Sequence, residues 1–485
     1  MSRIDLRRDP PAAALFSLIA LPAGLALLVL TPPFQVPDES AHFFRAFQLA
    51  EGTIRAVSDG GFPGGVLPAS LVETAESFPP AMAAEDPGVL AGRIRRGLAD
   101  PLEPDRRRFV PFATAAYGPI PYLPAALTLA AGKASAWSPL ALLYAGRLAT
   151  LMAAVLLHAL ALKVAPAFRW PLALLALTPM AGFLRSGLSA DGVTNGLAFL
   201  FFALVLRLAP DGGESRRPAF AAGVVAVSVA LAFCKLYVVL LPLLLLVPRS
   251  SPAVRRVAWS GLLFGGAAAA GWMALCHGLP LPPRLDVPVD TGAQLRSFGT
   301  EPGSFLAAAG RELFAGSPRH FRELLGQLGW LDVRIPAALL ALVAGVLLVL
   351  ALSESCEGLN LRRPWRIGIL AVIAAGVLTT FAAMYVLHTP AGARGIEGIQ
   401  GRYFIPFTPP ALFLLVAVRR RISLSGRAAA RLVLLAALLG LGGAAWALGT
   451  RYIAPSAPAP AAAARLLQCG VCPLFPRSPS SSTSS

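Results

Sequence analysis

The sequence predicts an all-α integral membrane fold with about eleven transmembrane helices, in a range of ten to thirteen, and three features predict it. Of the 485 residues, 56% are hydrophobic and only 14% are charged, against about 25% charged in a soluble domain. Mean hydropathy is +0.66. Apolar runs reach or approach the roughly 20 residues that a helix needs to cross a bilayer. Arginine collects in alternate short loops, the bias that sets orientation in a membrane.

Taken in order, Arg3, Arg7 and Arg8 precede the apolar run 12–31, and no small-residue cleavage site follows it. That run reads as an uncleaved first span with its amino end in the cytoplasm. Further runs lie at 139–163, 170–184, 188–208, 219–234, 236–247, 257–276, 336–352, 367–387, 403–418 and 432–448. A twelfth stretch, 118–131, is short and carries Pro119, Pro121 and Pro124. The arginine-rich loops fall on one side only if this stretch does not cross, so it reads as a juxtamembrane or re-entrant helix on the outer face. The expected organisation is a polytopic domain over 1–450, with a large first extracytoplasmic loop at 32–137 carrying juxtamembrane helices. A second outer loop lies at 277–335, and an Ala/Pro/Ser-rich disordered tail at 451–485. The expected home is a bacterial-type cytoplasmic (inner) membrane, with the working face extracytoplasmic.

A net charge of +17 and a pI near 10.8 suggest nucleic acid in a soluble chain. Here the excess is a topology signal, and no nucleic-acid partner is expected. No C2H2 spacing, Walker A loop, GxSxG or HExxH occurs. Five cysteines make no disulfide framework; Cys469 and Cys472 alone are paired by spacing, in the tail.

The densest polar segment follows the first span, where Pro37, Asp38 and Glu39 lead into His42 and Arg45. On a helix Asp38, His42 and Arg45 share one face, with Phe43, Phe44 and Phe47 left for the lipid interface. Two carboxylates, an imidazole and a guanidinium at a membrane surface suit a metal, a phosphate or a hydroxyl to be deprotonated. The bland alternative is a first helical turn whose acids favour the helix dipole. Tyr117 and Tyr122 flank a proline-rich stretch that also suits an aromatic belt. Asp191 and Asn195 share a face at the outer end of a span, and a carboxylate there is a functional candidate. Asp332 closes the second outer loop. Arg394, then Arg402 and Tyr403, occupy the last one, where an arginine suits a lipid phosphate or snorkelling to headgroups. Lys235 sits between two short spans and reads as structural. His158, His277, His320 and His388 lack ligand spacing.

In order, Pro37-Asp38-Glu39 with His42 and Arg45, Tyr117 with Tyr122 and Pro124, Ser189 and Asp191 with Asn195, Gly329 to Asp332, and Gln400 to Tyr403 with Pro406 resemble the polytopic membrane family known as DUF2142. That family is in turn similar to the GT-C glycosyltransferases, multispan enzymes with an acidic motif in the first outer loop and polyprenyl-phosphate sugar donors. The step from family to activity is an analogy of fold. The resemblance implies a glycosyltransferase moving a sugar from a polyprenyl-phosphate donor to a glycan or lipid acceptor of the cell envelope. In it Asp38 is the general base or a ligand of a divalent cation, and Glu39 is the alternate base. His42, Arg45, Arg394 and Arg402 face the donor phosphate, with Tyr117, Tyr122, Asp191, Asn195, Asp332 and Tyr403 completing the substrate site. Two other classes stay open. A lipid or solute transporter or flippase needs polar groups at mid-membrane and an internal repeat; a non-catalytic envelope assembly protein needs only the fold.

Overall fold

The computed structural model describes residues 11–80, 82, 86–209, 213–247, 251–280, 289–354, 363–390, 392–416 and 422–453. The tail beyond 453, with Cys469 and Cys472, and the amino-terminal arginines lie outside the described residues.

Helix α1 (Ala12–Leu30) is followed by a layer built from the first long loop. This layer holds α2 (Glu39–Ala50), β1 (Val57–Asp59), β2 (Phe62–Pro68), α3 (Ala69–Glu76), α4 (Pro87–Ala99), β3 (Arg107–Pro111) and α5 (Leu123–Ala134). The strands form an antiparallel sheet in the order β1-β2-β3, which the expected all-α fold with juxtamembrane helices in this loop does not include. Its cause is local: Asp59 pairs with Phe62 across a two-residue turn, and Gly60 and Gly61 both have positive φ, 55° and 82°. Such a turn matches the twist of a hairpin and favours glycine at both positions.

The layer has an apolar core of its own. Phe43, Phe44 and Phe47 are buried there with Leu71, Phe78, Val110 and Phe112, so the expected placement of these phenylalanines in the lipid interface is corrected. A sheet face and a helix face can each bury their apolar side by closing on one another, and these rings do so. Helix α5 is 12 residues long, about 18 Å at 1.5 Å per residue, well short of the roughly 30 Å hydrocarbon core.

The bundle continues with α6 (Pro139–Val164), α7 (Arg169–Ala176), α8 (Pro179–Ser186), α9 (Ala190–Leu208), α10 (Pro218–Ala232), α11 (Leu243–Leu246) and α12 (Pro252–Leu275). Helices α13 (Thr291–Thr300), α14 (Pro302–Ala315) and α15 (Ser317–Gly326) then lead to a small hairpin, β4 (Gln327–Leu328) and β5 (Val333–Arg334). The last helices are α16 (Ala337–Ser353), α17 (Arg363–His388), α18 (Thr408–Phe413) and α19 (Gly426–Tyr452). Serine caps start the long ones: Ser138, Ser189, Ser251 and Ser425 each accept a first-turn N–H of α6, α9, α12 and α19, satisfying a donor that the helix leaves free. The apolar run 170–184 is split into α7 and α8 at Pro179, which has no N–H to continue the helix.

Among the described residues six helices are long and apolar enough to cross a membrane: α1, α6, α9, α12, α17 and α19. Shorter apolar helices occupy Pro218–Ala232, Tyr237–Leu246 and Ala337–Ser353. Helix α9 is central and buried almost all round, which suits a helix that is apolar on every face. Helices α6, α8 and α10 pack on it, and α1 and α19 pack on α8, while α12 leaves most of one side uncovered.

Candidate functional site

The polar side chains singled out in the sequence meet mainly at one end of the bundle, under the loop layer. Asp38 stands just before α2 in a left-handed conformation, φ 60° and ψ 15°, and its carboxylate makes no capping hydrogen bond. Instead Arg402 Nη2 donates to Asp38 Oδ2 at 2.9 Å. Asp38 thus stands at the start of α2, where its charge suits the helix dipole, but its side chain is given to Arg402 rather than to a capping hydrogen bond.

Glu39, one residue on, points the other way. Arg147 of α6 grips it through Nε at 2.8 Å and Nη2 at 2.6 Å, and the N–H of Leu188 donates to it at 2.9 Å. The same guanidinium donates to the carbonyls of Leu28, Thr31 and Pro32. Both side chains are 0% exposed. A carboxylate that is wholly buried and held by three donors is out of reach of a substrate proton, so Glu39 is corrected from alternate base to anchor: it ties the end of α1 to α6 and to the turn before α9.

Arg402 lies on a 3-10 turn, Gly401–Phe407, and α15 sets its position. The Gly401 N–H donates to Glu323 Oε2 at 2.7 Å. A Cβ at Gly401 would meet the His320 carbonyl at 2.1 Å, so only glycine allows this approach of backbone to backbone. His320 bridges Glu312 at 2.7 Å and Glu323 at 3.4 Å, and Arg319 also pairs with Glu312.

Behind Arg402 sits Asp191, in the first turn of α9, whose N–H is held by the Ser189 cap. Lys235 Nζ reaches Asp191 Oδ1 at 2.6 Å, and Arg402 Nη1 lies 3.6 Å from Asp191 Oδ2. Lys235 adopts φ 51°, a conformation that costs a residue with a Cβ about 1–2 kcal/mol. Its ammonium stands 5.3 Å from the Tyr117 ring and 5.6 Å from the Tyr403 ring. Tyr237 Oη donates to the Tyr403 carbonyl at 3.0 Å. Two cations and two carboxylates thus alternate, faced by tyrosines.

Exposure is graded across this group. The Asp38 side chain is 46% exposed, while those of Arg402 and Asp191 are 2% and 8% exposed. One acid is open at the mouth, and a guanidinium whose Nε and Nη1 make no hydrogen bond among the described residues lies behind it. His42 is buried, 2.6 Å from the Tyr122 hydroxyl through Nδ1. Burial, with the Lys235 charge, pulls its pKa down to about 4 against the opposing pull of Asp191 and Asp38, so the ring is neutral near pH 7.

Other candidates fall elsewhere. Arg45 is fully buried and donates to the carbonyls of Tyr117 and Ile54 and to the Gln48 amide. It is corrected from phosphate ligand to a brace of the loop layer. Asp332 closes the β4–β5 turn by accepting the Trp330 N–H and pairs with Arg451 at 2.9 Å. Arg394 is exposed, and its carbonyl takes Arg311 Nε at 2.6 Å. Asn195 lies buried one turn beyond Asp191, outside the ionic contacts.

Asp38 and Asp191 are each engaged by a cation of the chain, Arg402 and Lys235. Among the described residues no three His, Cys, Asp or Glu side chains gather around one point.

Residues 21–411 match a family described as a predicted membrane protein, DUF2142. The chain belongs to the DUF2142 family. No curated protein and no solved structure matches it. The DUF2142 region takes in Asp38, His42, Asp191, Lys235 and Arg402 and ends before Arg451.

The sequence reading leaves out Arg147 and Glu323 and takes Lys235 as structural without naming its partner. A signal existed for Arg147 and Lys235: each is a lone cation within an apolar stretch, and such a residue calls for a named partner. For Glu323 there was none, because its role depends on the close approach of Gly401.

Proposed function

We propose that this DUF2142 protein is a membrane glycosyltransferase of GT-C type, moving a sugar from a polyprenyl-phosphate donor to a glycan or lipid acceptor of the cell envelope. The observation that carries the reading is the exposed Asp38 carboxylate held 2.9 Å from the buried Arg402 guanidinium. A base must be reachable by its substrate, and a guanidinium with N–H groups that make no hydrogen bond among the described residues suits a phosphate.

In the proposed reaction Asp38 accepts the proton of the acceptor hydroxyl. The freed oxygen attacks the anomeric carbon, the bond from that carbon to the phosphate oxygen breaks, and polyprenyl phosphate departs with the electron pair. Arg402 meets the charge that grows on that oxygen. A single displacement inverts the anomeric centre. Lys235 and Asp191 hold Arg402 in place, and neutral His42 with Tyr117, Tyr122 and Tyr403 lines the approach. The reading includes eleven crossings, a polytopic unit over 1–450, a cytoplasmic amino end in a bacterial-type inner membrane and the Asp38 face outside. It is supported by the ionic group standing at one end of the bundle; a transporter needs such groups at mid-membrane.

The test is to delete the gene and compare envelope glycans and lipid-linked sugars by mass spectrometry, complementing with wild type and with Asp38→Asn. Loss of one glycan and build-up of one lipid-linked sugar, restored by wild type alone, is the expected result. An unchanged profile overturns the reading.

A further inference from the structure

At the start of α12, Pro252, Arg255, Arg256, Trp259, Ser260 and Leu263 line an open pocket of about 500 Å³. The far end of α12 is fixed in the loop layer, where Trp272 Nε1 donates to the Ala116 carbonyl at 3.1 Å and Arg45 lies 6.0 Å from the Trp272 ring. The helix has 24 residues, so its ends stand about 36 Å apart. The pocket therefore belongs to the membrane surface opposite Asp38 and Arg402.

Its lining has two halves. Arg255 and Arg256 are exposed, no carboxylate is among the lining residues, and neither guanidinium pairs with another described side chain. The positive end of the helix adds to their field. Immediately below, the same face is apolar and partly exposed: Trp259 is 43% exposed and Leu263 64%. A charged rim above an apolar wall, with an indole at the junction, is complementary to a headgroup above its acyl chain. A free phosphate uses only the upper half.

We propose that this pocket binds an anionic phospholipid of the bilayer, with its phosphate on Arg255 and Arg256 and an acyl chain along Trp259 and Leu263. The site is independent of the sugar-transfer reading and needs no turnover.

The test uses the full chain purified in detergent and exchanged into nanodiscs of phosphatidylcholine doped with phosphatidylglycerol. Native mass spectrometry then counts the phosphatidylglycerol retained. Wild type is expected to retain one, and Arg255→Gln/Arg256→Gln to hold it at least tenfold more weakly. Arg427→Gln/Arg431→Gln, which removes equal charge from the start of another helix, is expected to retain it. Trp259→Ala keeps both charges and is expected to weaken retention by a smaller factor. Melting in detergent alone reports whether each variant folds. Equal retention by wild type and the Arg255/Arg256 variant overturns the proposal, as does equal loss in the Arg427/Arg431 variant. Displacement of the lipid by millimolar inorganic phosphate also overturns it, by making the pocket a site for free anions.

Discussion

Arg402 and Asp38 are separated by 364 positions in the chain, and their side chains meet at 2.9 Å. The arginine is buried and the aspartate is half open, so the contact joins a fixed cation to an accessible carboxylate. Five segments converge to make it: the turn before α2, the first turn of α9, the Lys235 turn, the tyrosine-flanked stretch before α5, and the 3-10 turn after α17. In the proposed reaction this contact aligns the base with the leaving phosphate.

Asp38→Asn is expected to lower sugar transfer by about 10²–10⁴-fold, the usual contribution of a positioned base. Because the side chain is exposed, melting in detergent should stay close to wild type. Transfer measured with a radiolabelled polyprenyl-phosphate sugar in liposomes checks it; full activity in the variant removes Asp38 from the chemistry.

Arg147→Met leaves Glu39 buried without its partner and is expected to cost about 3–5 kcal/mol. Glu39→Met/Arg147→Met removes both charges and should recover a large part of that loss. Denaturant unfolding of the two variants checks the pair, and equal destabilisation would refute the coupling.

Lys235→Met leaves Asp191 facing Arg402 alone. The expected result is a donor KM raised by about tenfold or more, in line with about 1.4 kcal/mol per factor of ten, with a smaller change in kcat. A change confined to kcat would contradict the assignment of Lys235 to holding Arg402.

His42 has a pKa of about 4 in the fold, below its usual 6.5, chiefly because it is buried. Between these values the unfolded chain binds the extra proton, so the stability linked to His42 is complete above pH 6.5. It falls as pH drops towards 4, by about 3 kcal/mol in all. His42→Gln should flatten that part of the melting profile. An unchanged slope below pH 6.5 would show that another group titrates there.

Glu323→Gln keeps an acceptor for the Gly401 N–H but removes the charge that faces His320. Donor KM should rise severalfold with the fold intact, and Gly401→Ala should be more damaging because its Cβ strikes backbone. Equal donor KM in wild type and both variants would count against the positioning of Arg402 by α15.

The membrane class was legible because apolar run length is a local property, and Asp38, Asp191 and Arg402 stood out as candidates because each is a charge shortly after or at the edge of such a run. Their mutual contacts were not legible. Arg147 finds Glu39 across 108 positions and Lys235 finds Asp191 across 44, and no local period encodes either meeting. The loop-layer sheet turns at Gly60 and Gly61, a signal the sequence reading does not use, and that reading has the phenylalanines of α2 facing lipid. Only the closure of β2 and β3 over them decides it.

Asp38 and Glu39 are neighbours with opposite duties: one faces outward beside Arg402, the other is locked inward on Arg147. A screen scored only by lost product would place both in the same class. Scored by the amount of folded protein in the membrane, the two are expected to separate: Asp38 variants should accumulate as intact protein, whereas Glu39 variants should be cleared by the cell's proteases.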